Sequence, residues 1–228
     1  TEGYDGTAYD VSPYTNWINT PVQSNDNRNY PQCGTSTGST QDHWQKVSHH
    51  ISLNNVLGEF YEYPVFILNE GFAGITSSGY NTRTGLTSWQ TRINALAPNK
   101  WLVHLGINDL GGSAGFQSNM QTLMETLINT YGADSSDIYL AVPSARNNWQ
   151  PYINNLISIN SLSTGPDFKT FYTGTGSSMV VGLHPNVAGH VEMGRLWGIS
   201  IISPKNFSAV QSSANINLTW DDLSIIEP

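Results

Sequence analysis

The period of apolar and polar positions changes several times along the chain, and each change marks an element. From Asp42, the residues Trp44, Val47, His50-Ile51 and Val56-Leu57 recur at the spacing of a helix with one buried face. Pro64-Val-Phe-Ile-Leu-Asn69 is a short apolar run that suits a buried parallel strand. It runs into Glu70-Gly-Phe-Ala-Gly74, where two glycines permit a tight turn. The alternation then repeats. Ser88 to Leu96 carries Trp89, Ile93 and Leu96 at helical spacing, and Trp101-Leu-Val-His-Leu105 is the next strand. Phe116, Met120, Leu123-Met124, Leu127-Ile128 and Tyr131 form one stripe of an amphipathic helix. Ile138 to Val142 is a third strand, Pro151 to Ile159 a helix, and Thr170-Phe-Tyr172 a short fourth strand. Asn186 to Ile202 closes the set as a helix with Val187, Val191, Met193, Leu196, Trp197 and Ile201 inward.

Strands alternating with helices at this spacing predict an α/β fold, a parallel sheet covered on both faces. In such sheets a ligand site lies beyond the carboxyl ends of the strands. Gly74, Asn108 and the loop at His184 fall there. Residues 1 to 42, rich in Gly, Asn, Thr, Tyr and Pro, read as long loops. After Ser203 the period drops to two, in Ser203 to Val210 and again in Asn215 to Trp220, which predicts two strands. The chain therefore divides into residues 1–202 and a short β segment, 203–228. That segment resembles the first two strands of a fibronectin type III module; a hairpin packed on the main domain is the alternative.

Composition narrows the partners. Only 11% of the residues are charged, against about 25% in an average domain. Serine, threonine and asparagine supply 68 of the 228 residues, so hydroxyls and amides keep the surface wetted. That habit suits a secreted or cell-surface protein. The formal charge of −8 argues against nucleic acid and against an anionic membrane surface. No apolar run has the length of a membrane span. The single Cys33 excludes an internal disulfide and a Cys-based zinc site. His49 and His50 are neighbours that would point apart on a helix or strand, and no metal site or other cofactor is expected.

Two segments carry most of the chemistry. Gly106-Ile-Asn108-Asp109 follows a strand, and Gly182-Leu-His184-Pro185-Asn opens the last helix. With Asn69-Glu-Gly-Phe-Ala-Gly74 they resemble, in order, three of the four signature blocks of the SGNH (GDSL-type) hydrolases, over roughly residues 34 to 202. The resemblance implies a three-layer α/β/α sandwich, SGNH or flavodoxin-like, and hydrolysis of esters of lipids, acylated sugars or polysaccharides. It implies His184 as the base, with the Gly74 backbone N–H and the Asn108 side-chain amide as oxyanion donors. Ester hydrolysis needs those three functions: an activated hydroxyl, a proton acceptor and a stabilised oxyanion. Each residue also has a plainer reading: Asn108 capping a turn, Gly74 serving the turn alone, His184 starting a helix. Asp109 reads as a brace for its loop, and His190 as a helix-face residue.

The chain departs from the family pattern twice. No Gly-Asp-Ser spells the first block; Gly34-Thr-Ser36-Thr-Gly38 is the nearest internal match, with Ser36 as nucleophile. A second register aligns Thr1-Glu-Gly3 with the end of that block and puts the nucleophile before Thr1. The position three before the catalytic histidine, Asp in the family, is Val181. Two readings follow. One is a Ser-His esterase acting on acylated polysaccharide or another small ester. The other is a degraded member kept for glycan binding or a surface or filament role. Trp44, Phe72, Trp89, Trp149 and Tyr152 offer stacking faces for sugars in either case. The modular tail makes neighbouring domains of a longer chain an expectation.

Overall fold

The protein is described from a computed structural model, which defines residues 22–24, 53, 56–57, 60, 67–69, 75–110, 112–143, 148–181, 184–185, 187–203, 208–212 and 215–219. Strand β1 (Val22–Ser24) pairs in parallel with β2 (Ile67–Asn69). Helices α1 (Ser77–Thr84) and α2 (Thr87–Leu96) follow. Strand β3 (Trp101–Val103), β4 (Ile138–Val142) and β5 (Ser163–Asp167) form a parallel sheet in that order. Helix α3 (Ser113–Asn129) connects β3 to β4, and α4 (Gln150–Asn160) connects β4 to β5. Helix α5 (Phe168–Thr173) leads to a two-residue antiparallel pair, β6 (Val180–Val181) with β7 (His184–Pro185), and then to α6 (Val187–Ile202).

Strand β4 shows why the fold has three layers. Its side chains alternate in direction, as in any strand, and all five are buried. Ile138, Leu140 and Val142 enter one core with Trp89 and Ile93 of α2, Phe116, Met120, Leu123 and Leu127 of α3, and Ile153 and Leu156 of α4. Tyr139 and Ala141 enter a second core with Phe168 and Tyr172 of α5, Met193, Trp197 and Ile201 of α6, and Leu53 and Leu57. Helices thus cover both faces of the sheet, the predicted α/β/α arrangement. Each large side chain buried this way contributes about 1.5–3 kcal/mol.

Several expectations change. The short strand expected at Thr170–Tyr172 is helical; the strand comes earlier, at Ser163–Asp167. Phe168, Phe171 and Tyr172 sit at i, i+3 and i+4, and the Asp167 side chain accepts from the Thr170 N–H at 2.9 Å, capping that helix. Ser-Thr-Gly-Pro-Asp has little strand propensity of its own, so its place depends on pairing with β4. Helix α1 went unpredicted because Ser77-Ser-Gly-Tyr-Asn-Thr-Arg-Thr84 shows no apolar stripe. Its cap forms it: Thr76 Oγ1 accepts from the Gly79 N–H at 3.2 Å. A strand also lies within the supposed loop region, at Val22–Ser24. Val191, expected inward, is 45% exposed, while His190 beside it is buried. Trp89 and Trp149 are core residues rather than stacking faces. The tail folds as an antiparallel hairpin, β8 (Ser208–Ser212) with β9 (Asn215–Thr219), as the period of two predicted. Among the described residues no helix is long and apolar enough to cross a membrane.

Candidate active site

The carboxyl end of β3 runs through His104 and Leu105 into the turn Gly106–Asp109. Gly106 has φ +117°, a conformation side chains rarely adopt, and a Cβ there would lie 3.0–3.1 Å from Phe116, Pro143 and Trp149. The turn is held from beneath. Trp149 Nε1–H donates to the Gly106 carbonyl at 2.9 Å, and the Asp109 N–H reaches the same oxygen at 3.3 Å. The Trp149 ring stacks on Phe116 with centroids 4.2 Å apart. A core tryptophan therefore fixes the loop that carries Asn108.

Asn108 and Asp109 diverge from this turn. Asp109 is buried and accepts three hydrogen bonds from Ser77: its N–H to both carboxylate oxygens, at 3.2 and 3.0 Å, and its Oγ–H at 2.6 Å. Asn108 is exposed, and its Nδ2 donates to the Ile75 carbonyl at 3.1 Å. Ile75 follows Gly74 directly in sequence. Asn108 thus reaches the residue that follows the Gly74 block, and Asp109 braces its loop as expected. One N–H of the Asn108 amide is used to orient it, and the second is left to donate.

The third block arrives on the β6–β7 hairpin. Its register sets Val181 directly opposite His184 and Val180 opposite Pro185. Residues so paired carry Cβ atoms about 4.5–5.5 Å apart. The residue three positions before His184 is thus its cross-strand neighbour, and it is valine. The hairpin is anchored by α6, whose Gly189 lies so close to Met179 that a Cβ would come within 2.4 Å of the Met179 carbonyl. Tyr172 Oη donates to the Gly189 carbonyl at 2.9 Å. Burial, and secondarily Glu192, push the Tyr172 phenol well above its ordinary pKa, so it stays a donor.

Six of the described carboxylates have partners of their own. Asp109 is held by Ser77, Asp137 by Lys100, Glu192 by Arg195, Asp167 by Thr170, Asp134 by the Ser136 N–H and Glu125 by Gln121. Among the described residues no group of three or more His, Cys, Asp or Glu could hold a metal ion. One titratable group near the turn stands apart. His104 packs against Phe168 with ring centroids 4.8 Å apart, and its Nε2 is shut from solvent without a hydrogen-bond partner. Burial lowers its pKa to about 4, so the ring is neutral.

Of the residues predicted for the site, Gly74 and Ser36 lie outside the described residues. Asn108 is described in full, and His184 by its backbone pairing. The fold also holds a strand that the sequence pattern missed, β1, which ends at Ser24. Pro21-Val-Gln-Ser24 holds a single large apolar residue, too weak a signal for a strand. The pairing with β2 reveals it.

No family model matches the chain, and no curated protein matches it. Among solved structures, the fold is similar to that of a variant of Axe2, an acetyl xylan esterase from Geobacillus stearothermophilus. The identity is 17%, over 84% of this chain and 95% of that one, with a TM-score of 0.52. What the two proteins share at that identity is the α/β fold.

Proposed function

We propose that this chain is an ester hydrolase of the SGNH type, acting outside the cell to remove acetyl groups from carbohydrate. A serine hydroxyl attacks the ester carbonyl and His184 takes its proton. The Asn108 amide and the Gly74 N–H hold the oxyanion, and His184 then returns the proton to the leaving sugar oxygen. The observation that carries this reading is the Asn108–Ile75 hydrogen bond, which ties the two oxyanion segments together beside strand ends. The substrate class is taken by analogy from the acetyl xylan esterase of like fold. The low-charge, hydroxyl-rich composition supports an extracellular, glycan-rich setting.

With Val181 opposite His184, the base works as a Ser-His dyad, its imidazole oriented by something other than a paired acid. Loss of that acid costs about 10⁴ in turnover in serine-protease triads, so a slow enzyme is expected. The test is release of p-nitrophenol from the acetyl ester by the purified chain. His184→Ala should abolish it, and a rate equal in both proteins would refute the assignment.

The same valine supports a second reading, a fold retained for glycan binding after catalysis was lost. That reading predicts binding to xylan undiminished by His184→Ala, and no turnover of any acetyl ester.

A further inference from the structure

We propose that Lys169 and Asn148 bind a carboxylate carried on the glycan, so that the preferred substrate is an acetylated polysaccharide bearing uronic-acid residues. This rests on the ester-hydrolase reading above and names its substrate class more closely. Two loops past the carboxyl edge of the β3–β4–β5 sheet are joined by consecutive residues. Trp149 Nε1–H donates to the Gly106 carbonyl at 2.9 Å, on the turn that follows β3. Its neighbour Asn148 accepts at Oδ1 from Lys169 Nζ at 3.5 Å, and Lys169 lies just beyond the end of β5. Strands β3 and β5 flank β4, so they stand about 10 Å apart. Asn108, Asn148 and Lys169 therefore lie along the carboxyl edge of one sheet, where α/β sheets place their ligands.

The chemistry of the pair selects its ligand. Lysine can only donate, so its contact holds the Asn148 carbonyl oxygen toward Nζ and turns the amide NH₂ away from it. Together the two side chains offer an ammonium and an amide donor. A carboxylate, which only accepts, is the group on a sugar that fits them best. Asp167, the carboxylate nearest in sequence, is turned into its own helix: Oδ1 accepts from the Thr170 N–H at 2.9 Å and Oδ2 from the Thr170 hydroxyl at 2.6 Å. Asn148 is exposed, so a glycan can reach the pair.

A chain of net charge −8 repels a uniformly acidic polymer. Carboxylates spaced along an otherwise neutral glycan avoid that repulsion, and one local cation is enough to select them. The acetyl ester at Asn108 and the carboxylate at Lys169 then belong to neighbouring parts of one polysaccharide.

The experiment measures acetate release by the full chain from acetylated xylan carrying glucuronic-acid branches, and from the same polymer after an α-glucuronidase has removed them. The parent should show a KM about tenfold lower for the branched polymer, with kcat little changed, and added salt should narrow that gap. Lys169→Met should close the gap and Asn148→Ala should narrow it. Equal KM for the two polymers in the parent, or a full gap in Lys169→Met, overturns the carboxylate site, while acetate release keeps the esterase reading standing. Inhibition by sodium acetate as strong as by glucuronate also overturns it, and assigns the pair to the released product. If the parent turns over no acetyl ester, the esterase reading falls and migration in gels containing each polymer decides the site alone. Retardation by the branched polymer that is lost in Lys169→Met upholds the site; equal retardation of the two proteins overturns it.

Discussion

Asp109 takes all the hydrogen bonds that Ser77 can give. The Ser77 N–H meets both carboxylate oxygens at 3.2 and 3.0 Å, and its hydroxyl meets one of them at 2.6 Å. The two residues are 32 positions apart and both are buried. The contact joins the first turn of α1 to the Gly106–Asp109 turn, and so holds the Ile75 carbonyl within reach of Asn108.

Asp109→Ala should therefore damage stability and turnover together. Each buried donor left unmet costs about 1–3 kcal/mol, to be read as a lowered urea midpoint. Asp109→Asn keeps one acceptor oxygen and should lose less of both. If Asp109→Ala were as stable as the parent, the brace would have no energetic weight.

Gly106 and Trp149 support the same turn from the core side. Gly106→Ala forces a side chain into φ +117° against Phe116, Pro143 and Trp149, with about 1–3 kcal/mol of backbone strain. Trp149→Phe keeps the stack and removes one hydrogen bond, a loss of about 0.5–1.5 kcal/mol. Thermal unfolding should rank Gly106→Ala below Trp149→Phe, and both below the parent; the reverse order would refute the account of the turn.

How much of this was legible in the sequence follows from what each element depends on. Helix α3 and strand β4 were read within two or three residues because their apolar periods reflect burial directly. Phe116, Met120 and Leu127 face one core, and all of β4 is enclosed. Asn108 and Asp109 could be singled out because the Gly-x-Asn-Asp block is local. The β5 strand and helix α1 were not, because neither has an apolar period. Strand β5 is held by the pairing of Ser163, Thr164 and Asp167 with β4, and α1 by the Thr76 cap and Asp109. Strand β1 was missed for the same reason: a three-residue strand is defined by its neighbour, β2.

His104 predicts a pH dependence of folding. Burial holds its pKa at about 4 in the folded protein, against about 6.5 in an unfolded chain. Between these values the unfolded chain binds a proton that the folded one refuses. This contribution to stability is full above pH 6.5 and declines as the pH falls toward 4, by up to about 3 kcal/mol. His104→Phe, which keeps a ring against Phe168, should flatten the decline in urea stability over that window. An identical slope in parent and variant would contradict the assignment.

Val181 offers a gain-of-function test. Val181→Asp puts a carboxylate opposite His184 across the β6–β7 pair, where it can hold the imidazole tautomer and stabilise imidazolium. If His184 is the base, kcat for p-nitrophenyl acetate should rise, by at least about tenfold given the cost of losing such an acid, with KM little changed. No rise would favour the binding-module reading.

The central claim is tested most directly by measuring acetate released from acetylated xylan by the purified chain and by Asn108→Ala. Asn108 is exposed and outside both cores, so its replacement should leave the fold intact. The account predicts acetate release by the parent and a fall of about 10²–10³ in kcat for the variant, the usual cost of one oxyanion donor. Equal release by the two proteins, or none by the parent, would contradict it.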